Sequence, residues 1–140
     1  MSNINFFNEL PTYTFENKTA WSEWLIACAK EEGYDLSMLN IIGMSDEQLL
    51  QINQEYLKHD TLTDVITFPL SIGKEIEGEI YLSIERAREN ASQLALALQD
   101  EVCRLTIHGL LHLMGYTDKT PEDKAVMTSK EDYYLTSRTF

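Results

Sequence analysis

The sequence predicts one α/β domain spanning residues 1–140, with a small mixed sheet of about four strands interleaved with about five helices. Three observations predict it. The apolar pattern switches repeatedly between alternation and helical spacing, with no repeat, linker or low-complexity tract in between. The length, 140 residues, is that of one ordinary domain. The hydrophobic fraction, 44%, is normal for a globular protein, and a domain of this size needs neither a disulfide nor a structural metal in order to fold.

The elements follow in order. "NINFFN", Asn3 to Asn8, alternates weakly and reads as a first strand. A helix follows from about Thr19, because Trp21, Trp24, Leu25 and Cys28 fall at i, i+3, i+4 and i+7 on one face. Glu32 and Gly33 end it, with Gly33 suited to a left-handed cap. "LSMLNIIGM" is a short apolar run that reads as a buried strand. Ser45 and Gln48 have capping-box spacing, so a second helix starts there, with Leu49, Ile52 and Tyr56 as its buried face. "TDVITFPL" reads as a strand that ends, or lies at an edge, at Pro69, which has no N–H to donate. "GEIYLS", from Gly78, is the next strand. Ser83 caps a helix whose Ile84, Ala87, Ala91, Leu94 and Leu98 recur at helical spacing. Asp100 opens "DEVCRLTIHGLLHLMG", which is apolar nearly all round and therefore central and buried, with Gly115 as its stop. Thr120 as cap, Pro121 at the first helical position, and Glu122 and Asp123 at the positive dipole end begin a last helix.

Composition excludes several classes. Cys28 and Cys103 form no CxxC pair, which excludes a thiolate zinc site or redox motif and leaves two buried thiols in a reducing compartment. No signal peptide or membrane-spanning run is visible, so a cytoplasmic protein without a membrane partner is expected. The net charge of −12 argues against broad electrostatic binding to nucleic acid, and no DNA partner is expected. An RNA substrate would need a locally basic groove, and the chain alone should bind RNA weakly, with an affinity that falls as salt rises.

The residues that carry chemistry lie in "HGLLHLMGYTD". His108 and His112 are four apart, so both project from one stripe of a helix and their Nε2 atoms can reach one ion. Gly115 and Tyr116 let the chain turn back, and Asp118 can then complete a set of three ligands. Two imidazoles and one carboxylate leave the fourth tetrahedral position of a zinc ion open for water. The competing reading is a pair of hydrogen-bonded core histidines, each with its own buried partner. Gly109 stands where an HExxH peptidase places its general-base glutamate, and its missing side chain suggests close packing against a neighbour.

These residues resemble the YbeY-type endoribonucleases, a family of rRNA maturation factors with the pattern HGxLHLxGYDH. The match holds at every constrained position from His108 to Tyr116 and departs at Thr117 and Asp118. "TDVITFP" (Thr63 to Pro69) and "GEIYLS" (Gly78 to Ser83) are similar to the family's "TDVLSFP" and following "GDI" strand. The likeness runs from about Ser45 to Lys124, and the order of elements fits the whole chain. It implies a divalent metal, usually zinc, on His108, His112 and Asp118. It also implies hydrolysis of single-stranded RNA in 16S rRNA 3′-end maturation and ribosome quality control. The implied partners are the 16S rRNA precursor and components of the small ribosomal subunit.

Two departures bear on chemistry. Asp118 replaces the family's third histidine, which adds negative charge, weakens the Lewis acid and widens the choice of metal. Leu57 stands where the family has an arginine after the tyrosine of its "NxxYR" segment, here Asn53 to Leu57. Candidate replacement cations are Lys58 and Arg86, with Arg104 and Lys119. His59 is a candidate proton shuttle, and Asp64 either caps a turn or orients a metal-binding histidine. Two alternatives to the nuclease are a non-catalytic ribosome-assembly factor with a structural metal and another metal hydrolase, such as a peptidase.

Overall fold

A computed structural model describes residues 2–57 and 63–140; Lys58 and His59 lie outside the described residues. The strands are β1 (Asn3–Asn8), β2 (Asp35–Met44), β3 (Val65–Pro69) and β4 (Glu75–Ser83). The helices are α1 (Lys18–Glu31), α2 (Asp46–Leu57), α3 (Ile84–Leu94), α4 (Leu98–Leu113) and α5 (Pro121–Leu135). The four strands form one mixed sheet in the order β1-β2-β4-β3. The β1–β2 and β2–β4 pairs are parallel and β3 runs antiparallel to β4. Pro69 ends β3 on the sheet edge, where a missing donor costs no ladder bond.

Register explains which face is buried. Phe6, Ile41, Ile80 and Thr67 form one row across the sheet, and the next row is Phe7, Ile42, Tyr81 and Ile66. Alternation sends these rows to opposite faces. Phe6, Ile41 and Ile80 of the first row belong to the main core, with Leu39, Leu82, the α1 stripe and most of α4. Trp21 and Trp24 lie in that core, stacked edge-on to one another, so they pack rather than bind. Ile42, Ile66 and Tyr81 of the second row join a smaller cluster with Met44 and Leu49, while Phe7 is exposed.

Local chemistry starts the helices where the sequence expects. In α2 the Gln48 N–H donates to Ser45 Oγ at 3.1 Å, and the Ser45 N–H donates to Gln48 Oε1 at 3.0 Å. Ser83 Oγ accepts from the Arg86 N–H, and Thr120 Oγ1 accepts from the Asp123 N–H. Four expectations are corrected. Tyr56 is 66% exposed, not part of the buried face of α2, and its ring meets Phe68 in a T-shaped contact. The fourth strand begins at Glu75 rather than Gly78, because its first residues pair with Asp35 and Leu36. Leu98 belongs to α4, since Ala95 takes a left-handed conformation with φ 56° and ends α3. Asp100 therefore sits within the first turn of α4, and Ala97 is its cap.

Gly109 shows how tightly α4 seats on the sheet. A Cβ there would lie 3.0 Å from Ile80 Cγ2 and 3.1 Å from Thr67 Cγ2. The close packing that its missing side chain suggested is therefore present. Gly109→Val should overpack this contact and lower stability by about 2–3 kcal/mol, read by urea denaturation. An unchanged midpoint would mean that α4 does not rest on Ile80 and Thr67 as described.

Candidate metal centre

Helix α4 crosses the buried sheet face with His108 and His112 on one stripe near its C-terminus. Gly115, in the left-handed conformation with φ 97°, turns the chain back after the helix. That turn carries Asp118 over the two rings. His108 Nε2 and His112 Nε2 are 3.0 Å apart. Asp118 Oδ2 lies 3.4 Å from the first and 3.6 Å from the second. A tetrahedral ion with bonds of about 2.0–2.1 Å needs donor separations of about 3.4 Å, so the three atoms suit one such ion.

Both imidazoles are set up to offer Nε2. His112 Nδ1 lies 3.0 Å from the Tyr116 carbonyl, which can only accept, so the Nδ1–H donates there. His108 Nδ1 lies 2.6 Å from Glu131 Oε2 and donates to that carboxylate. The two Nε2 lone pairs then face each other at 3.0 Å, an arrangement that a cation or a shared proton must relieve. Burial lowers the His108 pKa, but the Glu131 hydrogen bond and charge outweigh it, with help from Asp118 and Asp64, and the net shift is upward. Among the described residues, His108, His112 and Asp118 are the set of three that could hold a metal ion.

Sequence reasoning missed Glu131. Its side chain is only 8% exposed, and besides His108 it accepts from Arg104 Nη1 at 2.9 Å. The signal was present: Met127, Glu131 and Tyr134 are the buried residues of α5, at i, i+4 and i+7. A carboxylate on an apolar stripe needs buried partners.

The other expected residues divide. Asp64 lines the cavity of about 390 Å³ beside His108, with Glu101, Arg104, Asp118 and Lys124. Its field reaches His108, while the hydrogen bond to that ring comes from Glu131. Arg104 lines the cavity, but its guanidinium is held by Glu131 and Asp132. Arg86 pairs with Asp46 at 3.0 Å and is not among the residues lining this cavity. Lys119 is exposed in the turn before α5. Cys28 and Cys103 are buried and unpaired, and burial pushes their thiols up to about 12 and about 11 respectively. No described helix is long and apolar enough to cross a membrane.

Glu101 is unusual. It is 4% exposed, and its Oε2 has no hydrogen-bond partner among the described residues. Burial pushes its carboxyl above the ordinary range, against the lowering pull of Arg104 and Asn90. Its unfolded pKa is about 4.3, so folding favours the protonated acid. That contribution is present below the unfolded pKa and is lost as pH rises through the folded one. Glu101→Gln should therefore melt above the wild type at pH 8, with the gap closing toward pH 4. A lower melting temperature at pH 8 would mean that the ionised form is stabilised.

The family model for endoribonuclease YbeY matches residues 3–139. A protein named Endoribonuclease YbeY from Cytophaga hutchinsonii is 45% identical over 138 residues, covering 98% of this chain and 96% of its own. One of the same name from Flavobacterium psychrophilum is 44% identical over 129 residues, covering 92% of each. A Thermotoga maritima protein solved in solution is similar in fold, with TM-score 0.65, 29% identity and coverage of 94% of this chain and 86% of its own.

Proposed function

The chain belongs to the endoribonuclease YbeY family and is a nuclease, and on that premise we propose that it hydrolyses single-stranded RNA at His108, His112 and Asp118. The carrying observation is the convergence of three donor atoms at 3.0, 3.4 and 3.6 Å beside an open cavity. We propose zinc as the ion, with other divalent transition metals also accepted by two imidazoles and a carboxylate. When bound, such an ion supplies Lewis-acid polarisation of a phosphodiester and lowers the pKa of water.

The chain's own residues do the rest. Glu131 and the Tyr116 carbonyl hold the Nδ1 protons, so both Nε2 atoms stay available. Asp118, 43% exposed, completes the set from the cavity side and leaves that side open to substrate. This openness favours a hydrolase over a purely structural ion, which would be enclosed by protein ligands. Gly109, in the place of the HExxH glutamate, disfavours a peptidase. Lys124 offers the cavity an ammonium against the carboxylates of Asp64, Asp118 and Glu131. Arg104 is tied to two of its neighbours, so it is less free to meet phosphate than to hold Glu131.

The proposed substrate is the 16S rRNA precursor, met on the small ribosomal subunit in the cytoplasm. A chain with net charge −12 and few cations at its site gains little from counterion release, so presentation by the subunit fits its electrostatics. The test is incubation of zinc-loaded protein with single-stranded RNA, duplex RNA and casein, with a chelator control. We expect cleavage of single-stranded RNA alone, lost on chelation. Cleavage of casein, or RNA cleavage that survives chelation, would refute the proposal.

A further inference from the structure

We propose that Glu32 is a positioning residue for this centre, acting through Tyr116 and α5; the inference rests on the metal reading of His108, His112 and Asp118. Glu32 follows α1 directly and is far in sequence from every ligand. Its side chain is 10% exposed and accepts three hydrogen bonds. The Tyr116 hydroxyl donates to Oε1 at 2.6 Å, Lys130 Nζ donates to Oε2 at 3.0 Å, and the Tyr134 hydroxyl also donates to Oε2.

Each donor leads to the centre. Tyr116 is two residues before Asp118, and its carbonyl accepts the His112 Nδ1–H. Holding the Tyr116 ring by its tip fixes the loop that orients one imidazole and delivers the carboxylate. Lys130 and Tyr134 flank Glu131 on α5, and Glu131 accepts from His108 Nδ1. One carboxylate therefore ties together the two elements that hold the two Nδ1 protons.

The position of Glu32 supports this reading. It is the C-cap residue of α1, at the negative end of the helix dipole, where a carboxylate is disfavoured. Local helix chemistry would choose a basic or neutral residue there. Burial also raises the carboxyl's pKa, yet the bonds from Tyr116, Tyr134 and Lys130 outweigh it and bring the pKa below the usual value. The local environment of α1 opposes this residue, and its partners around the metal centre retain it.

The experiment is a double-mutant cycle with Glu32→Gln, Tyr116→Phe and the double variant, on the full chain. Zinc affinity is read by competition with a chromophoric chelator, and the His112 tautomer by ¹⁵N NMR of the metal-free protein. Each single variant should weaken zinc binding about tenfold, as loss of such supporting partners does. The double variant should lose less than the product of the two, because they share one route. The His112 nitrogen shifts should also move away from the Nδ1–H form. A merely stabilising role would instead lower the metal-free melting temperature and leave zinc affinity and the tautomer as in the wild type, which would overturn the proposal. If one variant fails to fold, the other still decides by the same two readouts. His112→Ala separates the levels. If wild type binds zinc, His112→Ala does not, and Glu32→Gln binds like the wild type, only this inference fails. A wild type that binds no zinc removes the metal reading and this inference with it.

Discussion

His112→Ala should reduce zinc affinity by about a hundredfold or more and abolish RNA cleavage at metal concentrations that saturate the wild type. Structural zinc sites hold their ion with about 10–16 kcal/mol through four ligands, or about 3 kcal/mol per ligand. At about 1.4 kcal/mol per factor of ten, that share corresponds to more than two decades. The remaining pair, His108 and Asp118, lie 3.4 Å apart and can still hold an ion loosely, so a high zinc concentration should restore some occupancy. The metal-free fold should be nearly unaffected, because the His112 side chain is 26% exposed and makes one hydrogen bond to backbone. Chelator competition, RNA cleavage and metal-free melting separate these outcomes. Wild-type zinc affinity in the variant would remove His112 from the site.

Glu131→Gln is the second large effect, and its route differs. The carboxylate accepts from His108 Nδ1 at 2.6 Å and from Arg104 at 2.9 Å, each to a different oxygen. An amide keeps the shape but replaces one acceptor with an NH₂, so one of the two donors meets a donor. It also removes the charge that makes His108 a stronger base. Zinc affinity should fall about 10–100-fold with a modest loss of stability. Glu131→Ala should in addition destabilise the fold by about 3 kcal/mol, because Arg104 and His108 lose a buried partner. That cost stays at the low end because Arg104 keeps Asp132 at 2.6 Å. Chelator competition and urea denaturation of both variants check the two effects. If Glu131→Gln bound zinc within twofold of the wild type, the orientation of His108 would have to come from elsewhere.

Much of the fold was legible because its signals act over three or four residues. Ser45 with Gln48, Ser83 with Arg86, and Thr120 with Asp123 are bonds within a single turn, so residue type and spacing suffice to place them. The same holds for His108 and His112, whose shared stripe follows from helical geometry alone. Pro69 announced an edge by its missing donor. Where the sequence reading erred, a backbone choice or a distant partner intervened. The Leu94–Leu98 spacing continues the stripe of α3, but Ala95 turns left-handed and breaks it. Tyr56 continues the stripe of α2, yet its side chain stays 66% exposed and meets Phe68 by an edge contact.

The candidate site divides along the same line. The two imidazoles, the turn at Gly115 and the glycine that seats α4 are properties of one short stretch, determined by the sequence itself. Which carboxylates hold His108 and the Tyr116 ring was decided only by tertiary structure. Glu131 comes from 23 residues beyond His108 and Glu32 from 84 residues before Tyr116. Arg86, a candidate by charge, is turned to Asp46, 40 residues away. Nothing in local spacing relates such pairs. The Glu131 and Glu32 pairs meet because α1, α4 and α5 bury their apolar faces in one core, and packing then determines which polar groups find a partner and which nitrogen atoms remain free.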